Sequence, residues 1–97
     1  MEAVFNLTIM TPQATLYEGR AVSLVAPCEL GYLGVLANHA PLIANVEKGK
    51  IMVRSDSNEQ KVFYAEGDGF LEVLQNSVTL ILNTALPSQD SKNPPNN

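Results

Sequence analysis

Gly31-Tyr32-Leu33-Gly34-Val35-Leu36-Ala37-Asn38-His39-Ala40-Pro41-Leu42 packs a tight corner, a short apolar strand and a polar turn into twelve residues. Two glycines three apart permit backbone angles that a residue with a β-carbon avoids. Pro41 fixes its own φ and pushes Ala40 towards an extended conformation. Leu33, Val35 and Leu36 lie between these punctuators, and His39, the one histidine of the chain, follows them. The stretch reads as a shaped corner that presents a surface.

Working outward, the neighbouring segments carry the period of β-strands. Residues 4–10 alternate, with Phe5, Leu7 and Ile9 on one side and Asn6 and Thr8 on the other, until Thr11-Pro12 ends the run. Thr15 to Tyr17 form a short second strand, and Glu18-Gly19 is expected to turn the chain. The run Ala21 to Ala26, stopped by Pro27, then reads as a strand covered on both faces. Downstream, Ile43 to Val46 form a strand closed by Glu47-Lys48-Gly49. Ile51 and Val53 alternate with Lys50, Met52 and Arg54, and Ser55 to Gln60 turn the chain into Val62 to Ala65. Gly67-Asp68-Gly69 is expected to be a hairpin turn. Phe70 to Leu74 and Val78 to Leu82 close the pattern, with Ile81 placing an apolar residue on the second face.

No window of ten residues carries the i, i+3, i+4, i+7 spacing of a surface helix. The fold class is therefore all-β: a flattened β-sandwich or barrel of about ten short strands with little or no helix. The domain is expected to span residues 4–86. From Pro87 to Asn97 the segment has no apolar anchor beyond its prolines, and is expected to be a disordered polar tail.

The chain's 97 residues allow one core, burying about 60–65% of the unfolded surface. Hydrophobic residues make up 45% and charged residues 16%, the composition of a folded globular domain. Runs such as Val22 to Ala26 fall far short of the roughly 20 residues that span a bilayer. The N-terminus lacks a basic region followed by an apolar stretch, so no secretory signal is expected, and the chain reads as facing the cytosol. A formal charge of −4 with six scattered basic residues argues against nucleic acid. A single cysteine, Cys28, excludes an internal disulfide and a cysteine-built zinc site.

Catalytic chemistry finds no constellation. His39 titrates near neutrality but has no G-x-S-x-G elbow or cysteine motif to accompany it. Cys28 has no basic neighbour in sequence that would lower its pKa. Glu66, Asp68 and Glu72 lack the order of a calcium loop, and Gly67-Asp68-Gly69-Phe70 lacks the Lys-Ser/Thr and the helix of a phosphate loop. No catalytic residue, cofactor or metal is therefore expected. Leu30, Tyr32 and Leu36 are either core plugs or a contact patch, and the residues alone leave both readings open.

A wider pattern then comes into view. Thr11-Pro12, Tyr17-Glu18-Gly19, Val25-Ala26-Pro27, the Gly31–Leu42 stretch, Lys48-Gly49, Gly67 to Val73, Asn76 to Thr79 and Asn83-Thr84-Ala85 occur in the order found in one family. Together they resemble the N-terminal domain of the F-type ATP synthase epsilon subunit. The resemblance implies a ten-stranded β-sandwich at the foot of the central stalk. There it would grip the gamma subunit on one side and the ring of membrane c subunits at the other end, without hydrolysing ATP itself. Glu29, Leu30, Gly31 and Tyr32 correspond to the loop that touches the c ring, with Tyr32 standing where the family usually has a glutamate. Thr11, His39, Pro41, Leu42 and Ala44 correspond to the face that meets gamma. Asn83 replaces a common aspartate. The family's helical C-terminal domain is expected to be absent, leaving coupling without helix-mediated inhibition or ATP sensing. The expected location is the cytoplasmic face of a bacterial plasma membrane, or else an organelle membrane. The alternative reading is a stand-alone β-sandwich that binds a small molecule or another protein.

Overall fold

The computed structural model describes residues 3–89 as nine strands with no helix. They are β1 (Phe5–Met10), β2 (Thr15–Cys28), β3 (Gly31–Val35), β4 (Leu42–Val46), β5 (Gly49–Ser55), β6 (Gln60–Ala65), β7 (Gly69–Leu74), β8 (Ser77–Leu82) and β9 (Ala85–Gln89). The all-β sandwich expected from the alternating pattern is the fold observed. Its last strand runs to Gln89, beyond the expected boundary at residue 86, and residues 90–97 of the expected tail lie outside the described residues.

Two layers meet along β2. One layer has the order β1-β8-β7-β4, with β1 parallel to β8 and the other neighbours antiparallel. The other runs β3-β2-β5-β6-β9. The first half of β2 pairs with β1, Phe5 opposite Ala21 and Ile9 opposite Tyr17, whereas the second half pairs with β3 and β5. The changeover falls at a register shift between Ala21 and Ser23. A bulge there turns the adjacent Ala21 and Val22 both inward, which strict alternation forbids.

This corrects three local expectations. Glu18-Gly19 does not turn the chain; Gly19 sits inside β2 opposite Leu7. Pro27 does not end the strand, which continues to Cys28. The Pro27 carbonyl accepts from the Glu47 amide (2.8 Å), so the position lacking a donor faces away from β3 and no β2–β3 bond is lost. Nor is the run covered on both faces. Leu24 and Ala26 are buried, while Ser23 and Val25 are half-exposed.

The core is built from the inward set of each strand: Phe5, Leu7 and Ile9 of β1, Ile51 and Val53 of β5, Phe63 of β6, Leu71 and Val73 of β7, and Val78, Leu80 and Leu82 of β8. Interdigitated side chains of this size fill the space between the layers. Gly67-Asp68-Gly69 is also not a hairpin turn. It joins β6 to β7, which lie in different layers, so it is a crossover. Gly69 is needed there because a Cβ would overlap the Ile81 carbonyl oxygen and lie 2.9 Å from Leu82 Cα.

Candidate functional site

The chain reverses over Glu29-Leu30 between β2 and β3. The left-handed angle needed to bring the strand back is taken by Gly31, at φ 120°. Gly34, the second glycine of the opening stretch, uses no such angle and has open space where a Cβ would go. The hairpin tip is clipped to β4. The Glu29 amide donates to the Asn45 carbonyl (3.0 Å), and Asn45 Nδ2 donates to Glu29 Oε1 (3.0 Å).

Between this tip and β4 lies an open groove of about 600 Å³. Cys28, Glu29, Leu30, Tyr32 and Leu33 form one wall, and Leu42 to Asn45 form the other. Leu30 at the tip is 100% exposed, Tyr32 62% and Ile43 72%. Tyr32 places its hydroxyl over Gly49, 3.5 Å from where a Cβ would stand. Leu30, Tyr32 and Leu36 are therefore not core plugs: all three stand in solvent. Leu30, Tyr32 and Ile43 form an exposed apolar corner around the groove, whereas Leu36 follows the far end of β3. Cys28, half-buried in the groove, has its thiol pKa raised by desolvation, which keeps it protonated and weakly nucleophilic at neutral pH.

The nine site residues fall into three places. Glu29, Leu30 and Tyr32 line the groove with Leu42 and Ala44, and Gly31 shapes its tip, so residues expected on opposite sides of the domain share one feature. His39 and Pro41 lie in the β3–β4 loop. His39 Nδ1–H donates to the Ala40 carbonyl (2.8 Å) and its amide to Leu36 (3.2 Å), so the ring stiffens the loop. Thr11 stands apart at the β1–β2 turn, where its Oγ1 accepts from the amides of Gln13 (3.3 Å) and Ala14 (3.2 Å).

Two features escaped the sequence reading. Asn76, in the β7–β8 turn with φ 62°, accepts from the Asn38 amide (2.7 Å) and donates to the Val4 carbonyl (2.9 Å). It thereby holds the β3–β4 loop against the start of the chain. The outer face of β1-β8-β7-β4 also carries exposed Ile43, Phe70, Leu74 and Ile81, of which Ile81 alone stood out by breaking the alternation of its strand. Among the described residues, no cluster of three or more His, Cys, Asp or Glu could hold a metal ion, and no helix is long and apolar enough to cross a membrane.

Residues 4–88 match the family described as "ATP synthase, Delta/Epsilon chain, beta-sandwich domain". The ATP synthase epsilon chain of Dichelobacter nodosus is 42% identical over 82 residues, covering 84% of this chain and 56% of the relative. The chloroplastic epsilon chain of Chlamydomonas reinhardtii is 37% identical over 89 residues, covering 88% and 63%. The chain thus spans about three-fifths of the length of these relatives. A chain of the Euglena gracilis mitochondrial ATP synthase OSCP/F1/c-ring structure superposes with a TM-score of 0.80 at 19% identity, over 90% of this chain and 55% of that one. One from the Tetrahymena thermophila mitochondrial central stalk and c-ring gives 0.73 at 14%, over 89% and 68%. At such identities these two likenesses speak for the fold.

Proposed function

Since the chain belongs to the ATP synthase delta/epsilon β-sandwich family, we propose that it is a non-catalytic rotor subunit of the central stalk. In this reading it joins the gamma subunit to the membrane c ring while ion flow drives ATP synthesis. It would work as a peripheral subunit at the cytoplasmic face of a bacterial plasma membrane. The observation that carries the reading is the exposed Leu30–Tyr32 tip, clipped to β4 and set beside an apolar groove.

The physical logic is mechanical. A part that transmits torque must hold its shape under load and bind through surfaces that do not shear. The two layers share the continuous strand β2, so a force on the hairpin tip passes along hydrogen-bonded ladders into both. Glu29, Leu30, Gly31 and Tyr32 would meet the c ring, with Tyr32 offering an aromatic face and a hydroxyl where an ionic contact is usual. Thr11, His39, Pro41, Leu42 and Ala44 would meet gamma. A small molecule inside the sandwich gains no support from packing that buries Phe5, Leu24, Phe63 and Leu80 almost completely.

Co-purification tests the reading. The tagged chain, expressed with the gamma subunit of its source organism, is expected to retain gamma through gel filtration. A Leu30→Cys variant in a Cys28→Ser background is expected to cross-link to c subunits in reconstituted membranes. A chain that elutes alone and cross-links to nothing would sink the proposal.

A further inference from the structure

Gln75-Asn76 is the two-residue turn that joins β7 to β8, between the paired residues Leu74 and Ser77. Both turn residues take left-handed angles, φ 51° and 62°, as a tight hairpin turn of this length requires. From this fixed position each polar atom of the Asn76 side chain meets a different segment. Oδ1 accepts from the Asn38 amide (2.7 Å), and Nδ2 donates to the Val4 carbonyl (2.9 Å). An amide needs an acceptor and a carbonyl needs a donor, so a single orientation of the group serves both. The Asn76 carbonyl accepts in addition from the Asn6 amide (3.1 Å). Among the described residues, the other hydrogen bonds of the β3–β4 loop, residues 36–41, are internal to it: the His39 amide to the Leu36 carbonyl and His39 Nδ1 to the Ala40 carbonyl.

We propose that Asn76 is a two-armed latch that makes the β3–β4 loop and the start of the chain open and close as one unit. Oδ1 and Nδ2 belong to one planar group, so a rotation of that group that breaks either bond breaks the other. The element with two states is thus the side-chain amide, in place or swung out. Whatever draws the loop outward releases the Val4 carbonyl, and by reciprocity, anchoring the start of the chain favours the closed loop. The latch works in the same way whatever partner touches the loop.

Amide exchange in the full folded chain tests the coupling, followed by NMR at Asn38 and Asn6 with the core amide of Leu80 as reference. Asn76→Gly keeps the left-handed angle and removes both arms. Exchange at Asn38 and Asn6 is expected to rise about tenfold, and by much more than at Leu80. Asn76→Asp decides between one latch and two separate bonds. A separate carboxylate acceptor would hold the Asn38 amide more tightly than the amide oxygen does. In a latch the second carboxylate oxygen faces the Val4 carbonyl, is repelled and carries the first away, so Asn38 is expected to exchange as fast as in Asn76→Gly. Pro41→Gly, which loosens the loop without touching either arm, is expected to raise exchange at Asn6 as well as at Asn38. Slower exchange of Asn38 in Asn76→Asp, or an unchanged Asn6 beside a loosened Asn38 in Pro41→Gly, would overturn the latch.

Discussion

Glu29 and Asn45 are joined twice, by a backbone bond from the Glu29 amide to the Asn45 carbonyl and by a side-chain bond from Asn45 Nδ2 to Glu29 Oε1, both 3.0 Å. They are sixteen residues apart in sequence and belong to different layers of the sandwich. Through them the hairpin tip is fixed relative to the far wall of the groove.

Asn45→Ala should loosen the tip without unfolding the domain. Both groups are exposed, so the stability loss is expected to be about 0.5 kcal/mol. Amide exchange at Glu29 should nevertheless rise, because the backbone bond loses its neighbour. Asn45→Asp should have the larger effect, since it sets a second carboxylate against Glu29. Hydrogen-exchange mass spectrometry over residues 28–33 checks both outcomes.

The glycines should respond very differently to alanine. Gly69→Ala forces a Cβ into the β8 backbone, and a loss of about 3 kcal/mol or failure to fold is expected. Gly34→Ala meets open space at an ordinary φ and should change stability by less than about 0.5 kcal/mol. Gly31→Ala also meets open space, but its φ of 120° makes a loss of about 1 kcal/mol the expected result. Urea unfolding of the three variants orders them.

Asn76→Ala should cost about 2 kcal/mol. It removes the acceptor for the Asn38 amide and the donor to the Val4 carbonyl, and it puts alanine at a φ of 62°. Asn76→Gly keeps the backbone angle and loses only the bonds, so it should fall between alanine and the unaltered chain. Denaturant midpoints for the pair separate the two contributions.

Stability should fall at alkaline pH in a way that Tyr17 controls. Desolvation, with the Asp56 and Glu59 charges adding to it, raises the Tyr17 pKa above its ordinary value of 10.0. A pKa higher in the folded than in the unfolded state gives stability that is complete below the unfolded pKa and is lost as pH rises through the folded one. The decline should therefore begin near pH 10.0 and be reduced in Tyr17→Phe. That variant keeps the edge-on contact with Phe63 (6.3 Å between ring centres) but loses the bond to the Arg20 carbonyl (2.8 Å). Melting temperatures between pH 8 and pH 11 follow the effect.

Period-2 alternation in β1, β5, β7 and β8 was legible in the sequence because side chains on a strand point to opposite faces, so burial of one face writes itself into composition. The family likeness was equally legible, being carried by residue identities around Gly31–Leu42. By themselves, then, the residues determined the all-β class and most of the strands, though not β9 (Ala85–Gln89), and the kinship. Only the tertiary structure decided which strands are neighbours. It made β2 one strand through Gly19 and Pro27, turned Gly67–Gly69 into a crossover, and brought Glu29 to Asn45 and Asn76 to Asn38. The physical reason is that a strand's donors and acceptors are the same for every sequence. Local pattern shows that a strand must pair and which face it buries, while the partner is chosen by the packing of the whole core.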